Sequence, residues 1–408
     1  MQSQDSINQT EKAIKGSLRL HYLDWLRVLA VVMVFVFHAL KPFNIGDWVI
    51  MNSETSMAAT VFFAFLSPWG MPFFFLLAGA GSWFALRRRN PRQYTGERFK
   101  RLLIPFIIGS IIFTPVQNYF DWQFWTNRLG VQVSYLQNQL GRYTGPNPSI
   151  FSWIGYHLWF LGFLFSFSLI ALPFFLWLKG DSGNNFITRM AKFCERRGGI
   201  LLFILPLVII QLTLRPFFPQ EKGWADFFLY LAFFILGFII YADERFVLIL
   251  RRDWWILLST GVLAILCILV ALAVGDVTIW YETPTMPEFY LFWILVTIAA
   301  WSWTVFMLFI GIRFLNFRNK WLEYGQEAVV PFYVLHQPVI VVIAFYVVQW
   351  QAGVTVKMLV VLLASFALTI GIYELLIRRL PILRIAFGMK ATYKPTTVQQ
   401  PEIVSVDH

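Results

Sequence analysis

The sequence predicts an all-α integral membrane protein of about ten transmembrane helices with both termini cytoplasmic. Three observations lead there. Of its 408 residues, 58% are hydrophobic and only 13% charged, whereas a soluble globular domain carries roughly 25% charged residues. Ten largely apolar stretches are each of about the 17–25 residues that cross a bilayer as a helix. With the N-terminus inside, 27 of the 33 Lys and Arg residues fall in the inside segments, as the positive-inside rule requires. The net charge of +11 is therefore topological, and no nucleic-acid partner is expected.

The chain divides into a polar cytoplasmic segment (1–20), a ten-helix membrane domain (21–380) and a polar cytoplasmic tail (381–408). The polar, Lys-bearing start has no cleavage-site pattern before the first apolar run, so that run is expected to remain as a helix. The spans are expected at about 23–40, 61–86, 102–120, 157–178, 199–214, 224–241, 254–274, 289–312, 329–350 and 355–377. Between the third and fourth lies the longest outside loop, about 121–156. It is rich in amides (Asn127, Gln132, Gln137, Asn138, Gln139, Asn147) and aromatics (Trp122, Trp125, Tyr135, Tyr143). Such side chains suit sugar rings, and equally suit a wetted loop anchored at the membrane interface. Cys194, in a basic loop, and Cys267, in an apolar segment, have neither metal-site nor disulfide spacing. No metal site or permanently bound cofactor is expected.

The first span carries ionisable groups where they are costly and therefore functional suspects. Arg27 and His38 are eleven residues apart, which places them on one helix face about 16 Å apart, with Asp24 on nearly the same side. Of the five histidines, only His38, His157 and His336 fall within or at the ends of spans. The topology puts His38 and His157 in the outer leaflet and His336 about 10 Å into its span from the inside. A neutral imidazole beside a hydroxyl can take its proton as the oxygen attacks an acyl carbon, and His38 is the best candidate for that base. A histidine that only bonds a neighbouring helix is the alternative for each.

A second cluster places seven cations between Arg87 and Arg101, leading into the third span. Arg98 and Arg101 are three apart and share a face if helical. Two guanidinium forks suit phosphate or pyrophosphate oxygens, whereas positive-inside anchoring on anionic headgroups is the competing account. No phosphate-binding glycine loop, HExxH or GxSxG pattern occurs, which leaves a membrane enzyme or a transporter.

Jointly these pieces resemble acyltransferase family 3. The Arg27-to-His38 spacing resembles its Arg-ten-residues-His signature. Phe74 to Gly79, Arg98-Phe99-Lys100-Arg101 before Leu102, His157-Leu158-Trp159-Phe160-Leu161, and Phe332 to Pro338 around His336 resemble further family segments in the same order. Ala78 stands where a serine is frequent. The long outside loop, with no appended soluble domain, is most similar to the periplasmic glucan succinyltransferase branch. The resemblance implies a bacterial inner-membrane enzyme moving an acyl group, acetyl or succinyl, from cytosolic acetyl-CoA or succinyl-CoA to a carbohydrate hydroxyl outside. It assigns His38, with Asp24 and Arg27, to catalysis, Arg98 and Arg101 to the donor, and His157, Trp159 and His336 to the acceptor side or channel. The rival readings are a transporter of glycan or acyl donor, an amino-sugar N-acetyltransferase, and a non-catalytic scaffold. Oligomeric state is not legible.

Overall fold

The computed structural model describes residues 20–130, 134, 135, 137, 155–275, 280, 281 and 283–391. The N-terminal segment, most of the amide-rich loop (with Gln132, Asn138, Gln139, Tyr143 and Asn147) and the tail beyond residue 391 lie outside the described residues.

Eight helical segments of the described chain are long and apolar enough to cross a membrane. α1 (His21–Leu40) ends in a 3-10 turn at Lys41–Phe43. α2 (Met57–Leu66) and α3 (Gly70–Arg88) make the second segment. α4 (Pro91–Arg98), a π-helical turn (Phe99–Leu103) and α5 (Ile104–Leu129) make the third. After a 3-10 turn at Tyr156–Leu158 come α6 (Trp159–Ile170) and α7 (Leu172–Lys179), bent by 47°. This bent pair is the expected fourth span, and Pro173 explains the break, because proline lacks the N–H that continues a helix. The expected fifth span is the short apolar helix Gly199–Leu214.

Several boundaries differ from expectation. α5 runs on to Leu129 and stops at Gly130, whose φ of +64° is left-handed. Asp121, Trp122, Trp125 and Asn127 are therefore helical rather than in the loop. In addition, Cys194 is not in a loop but ends an amphipathic helix, α8 (Asp181–Cys194), whose buried Ile187, Ala191 and Cys194 recur at helical spacing. The basic residues there hid that periodicity.

The remaining helices are α9 (Ile204–Leu214), α10 (Trp224–Ala242), α11 (Glu244–Val274), α12 (Pro287–Phe314), α13 (Lys320–Val347), α14 (Val354–Ile372) and the short α15 (Pro381–Ala386). α3 and α10 cross in backbone contact. A Cβ on Gly79 would collide with the Phe234 carbonyl, and one on Gly237 with that of Leu76. Without a strong hydrophobic drive between helices in lipid, such close backbone approach supplies the packing. α13 lies centrally, against α1, α5 and α14. Its helix starts at Lys320, not near 329, with Glu323 paired to Arg318 at the surface and Glu327 paired to the buried Arg384. The perimeter is apolar, with Ile111, Leu263, Val270 and Leu363 exposed, as a surface facing hydrocarbon must be.

Candidate active site

Three histidines from three distant parts of the chain meet. His38 comes from the last turn of α1, His157 from the 3-10 turn before α6, and His336 from the middle of α13. Ring centroids are 5.1 Å apart for His38 and His336, 4.9 Å for His157 and His336, and 6.5 Å for His38 and His157. The expected depth of His336 needs correction. Because α13 begins at Lys320, His336 lies about 24 Å along it at 1.5 Å per residue, level with His38.

The hydrogen bonds assign the tautomers. His336 Nδ1 is 2.6 Å from the Tyr333 carbonyl, which only accepts, so Nδ1 carries the proton and Nε2 the lone pair. That Nε2 is 3.0 Å from His38 Nδ1, which therefore donates. His38 keeps its Nε2 lone pair, the form that a general base requires. His336 is fully buried and His157 is 4% exposed, whereas His38 is half-buried. The reactive lone pair thus belongs to the accessible member of the cluster.

Proline in α13 creates the third contact. Pro338 has no N–H, so the Val334 carbonyl four residues earlier lacks its helical donor. His157 Nε2 lies 3.1 Å from that carbonyl and 3.1 Å from the Tyr333 carbonyl, and it donates there. The Tyr333 hydroxyl in turn donates to the His157 carbonyl. The turn presenting His157 is itself unusual: Gly155 has φ +79° and Tyr156 φ +49°. The Tyr156 hydroxyl bonds Asn118 at 2.5 Å and reaches Asp121 at 3.4 Å. Behind this, Gln337 donates to Gln117 at 2.9 Å. Trp48 faces His38, and Trp159 lies buried against Tyr230.

The structure does not bring Asp24 and Arg27 to the histidines. Arg27 pairs with Asp24 at 3.1 Å and reaches the Leu77 carbonyl at 3.4 Å. Its guanidinium occupies the space where Gly81 has no Cβ. Arg98 approaches α3 one residue further on, 3.1 Å from Ser82 Oγ and over the Tyr94 ring, while Tyr94 donates to the same Ser82 oxygen. Arg27 and Arg98 therefore converge on one stretch of α3. Arg101 does not join them and is exposed. The shared α-helical face expected for Arg98 and Arg101 is broken by the π-helical turn, whose i→i+5 geometry is wider. Pro105, whose ring would clash with the Arg101 carbonyl in a regular helix, accounts for that turn.

Sequence reasoning missed Tyr333 and Val334, which act through backbone carbonyls, and the Ser82–Tyr94 pair. Only Pro338, four residues after Val334, signalled a freed acceptor. Among the described residues no cluster of His, Cys, Asp or Glu is placed to hold a metal ion.

Residues 20–374 match the family model described as "Acyltransferase domain", and the chain belongs to that acyltransferase family, family 3. It is a multi-pass membrane acyltransferase. Among named proteins it is similar to glucans biosynthesis protein C of Escherichia coli. Identity is 22% over 400 residues, 94% of this chain and 98% of the relative, in strains SMS-3-5 and K12 and equally in O1:K1. No solved structure matches.

Proposed function

We propose that the protein is an O-acyltransferase of the bacterial inner membrane, moving an acetyl or succinyl group from cytosolic acyl-CoA to a hydroxyl of an extracytoplasmic glycan. The observation that carries this reading is the His38–His336–Tyr333 chain, which leaves a lone pair on the half-buried His38. The acceptor hydroxyl would give its proton to His38 Nε2 as its oxygen attacks the thioester carbon. The carbon–sulfur bond then breaks, and the departing CoA thiolate takes the proton back from the imidazolium. His336 would share the positive charge through its hydrogen bond. Transfer through His38 itself, acylated first and then attacked by the hydroxyl, uses the same atoms.

Charge supports this direction. Arg98, Arg101 and Arg27 lie at the end of the bundle that the positive-inside rule makes cytosolic, and their guanidinium groups suit CoA phosphates. Asp24 keeps Arg27 paired near the start of α1. About 16 Å separates Arg27 from His38 along α1, a distance suited to a long, thin donor arm. His157, Trp159 and the aromatic residues around Tyr156 would meet the acceptor. A glucan is the favoured acceptor because the relatives are named for glucan biosynthesis.

The test is mass spectrometry of cell-envelope glycans from a deletion strain carrying wild-type protein or His38→Ala at matched levels. An acyl-sized mass present only with wild type is expected, with loss of at least about 10²-fold in the variant. Identical glycans would transfer the reading to transport or scaffolding.

A further inference from the structure

We infer that Ser82 and Tyr94 are positioning residues that set the Arg98 guanidinium for a phosphate of the acyl-CoA donor. This rests on the acyl-transfer reading above and goes beyond it by naming what orients the donor-binding arginine.

Local sequence places both residues. Asn90 caps α4: its side chain accepts the Gln93 N–H at 2.8 Å, and the Gln93 side chain accepts the Asn90 N–H at 3.2 Å. Pro91 takes the first helical position, where no N–H is needed. The helix that follows is polar at almost every position, and within it Tyr94 alone is buried. Tyr94 and Arg98 are four apart and so share one face, which meets α3 at Ser82. Ser82 is fully buried and Tyr94 is 1% exposed. The Ser82 hydroxyl gives its single proton to the Ala78 carbonyl at 3.0 Å. Its oxygen is left to accept twice, from the Tyr94 hydroxyl at 3.0 Å and from the Arg98 guanidinium at 3.1 Å. Arg98 Cζ also lies 4.7 Å from the centre of the Tyr94 ring, a cation–π distance. One oxygen and one ring thus fix the long side chain at two points.

The charge so held is not spent inside the protein. The neighbouring carboxylate, Glu97, pairs with Arg89 at 2.8 Å. Among the described residues Arg98 has no carboxylate partner, and Ser82 is the one hydrogen-bond partner of its guanidinium. A half-buried guanidinium anchored by neutral groups keeps its charge and most of its N–H donors for a ligand. A fork already fixed in place also loses less freedom on binding phosphate than a mobile one. If the contact served only to dock α4 on α3, the Tyr94–Ser82 bond would suffice, and Arg98 could extend its charge into water.

The experiment measures the affinity of purified full-length protein for CoA from the rise of Tm with CoA concentration, alongside initial rates with acetyl-CoA and succinyl-CoA in membranes. Tyr94→Phe keeps the ring and the Ser82–Arg98 bond, and its CoA affinity is expected within about twofold of wild type. Ser82→Ala combined with Tyr94→Phe removes that bond without leaving a buried hydroxyl unpaired. Affinity is then expected to fall about three- to tenfold, with KM rising in step, kcat little changed, and Tm without CoA close to that of Tyr94→Phe. Added to Arg98→Ala, the same two changes should weaken binding no further, because they act through Arg98. Arg98→Lys leaves the buried groups untouched and should lose a comparable factor, since an ammonium does not reproduce a fixed fork; it decides the matter if the double variant does not fold. The inference is overturned if the double variant binds CoA as Tyr94→Phe does, if its loss recurs in full on Arg98→Ala, or if Arg98→Lys binds as wild type. If Arg98→Ala itself binds CoA as wild type, donor binding by Arg98 falls and the inference falls with it, whereas loss in Arg98→Ala without loss in the double variant removes the inference alone.

Discussion

His336 decides what His38 can do. Its own proton is tied to the Tyr333 carbonyl, so it can only accept from His38, and this fixes the imidazole in the tautomer whose Nε2 is free. His336→Phe keeps an aromatic ring but removes the acceptor. Transfer is expected to fall by roughly 10²–10⁴-fold with KM for acyl-CoA little changed, as measured by initial rates in membranes with matched protein levels. The arginines predict the opposite pattern. Arg98 holds Ser82 and stacks on Tyr94, so Arg98→Ala should raise KM for acyl-CoA about tenfold or more and be largely rescued at high donor concentration. A loss in kcat that donor cannot rescue would contradict a donor-binding role for Arg98.

At the scale of elements, α13 illustrates how a helix defect is put to use. Pro338 leaves the Val334 carbonyl open, and His157 fills it. Pro338→Ala restores an N–H that competes for that carbonyl, relieving a helix-interior proline that costs about 3 kcal/mol in an unconstrained helix. The variant is expected to unfold at the same or higher temperature while losing about tenfold or more in transfer, because His157 is no longer held. A parallel fall in Tm and activity would instead make Pro338 a packing residue. The π-helical turn at Phe99–Leu103 is a second such defect, also proline-linked, and it separates Arg98 from Arg101. These features were partly legible: the prolines stand in the sequence, but which carbonyl a freed acceptor offers, and to whom, depends on a partner 177 positions away.

For the whole molecule, a buried charge pair between α9 and α10, Arg215 with Asp226, bears on stability. Their pair is buried, and removing one partner leaves a charge without compensation, at a cost of about 3–5 kcal/mol. Asp226→Asn is therefore expected to lower Tm by several degrees, read by thermal unfolding, since Asp226 also accepts the Lys222 backbone N–H. Replacing both partners together, Arg215→Met with Asp226→Leu, should recover much of the stability, checked by thermal unfolding. A double variant no more stable than Asp226→Asn would show that an uncompensated charge is not what the single change costs.

The sequence by itself determined the membrane class, the order of the spans and their middles, and the candidate histidines and arginines. Those properties follow from hydropathy, periodicity and charge summed over short windows, which need no knowledge of the rest of the chain. The tertiary structure alone decided that His38, His157 and His336 share one site, that Arg27 and Asp24 stand about 16 Å or more along α1 from it, and that a π-helical turn parts Arg98 from Arg101. His38 and His336 are 298 positions apart. Helix rotation, the true start of α13 and the proline-freed carbonyls set their contact, and these are fixed by packing between helices rather than by any local pattern.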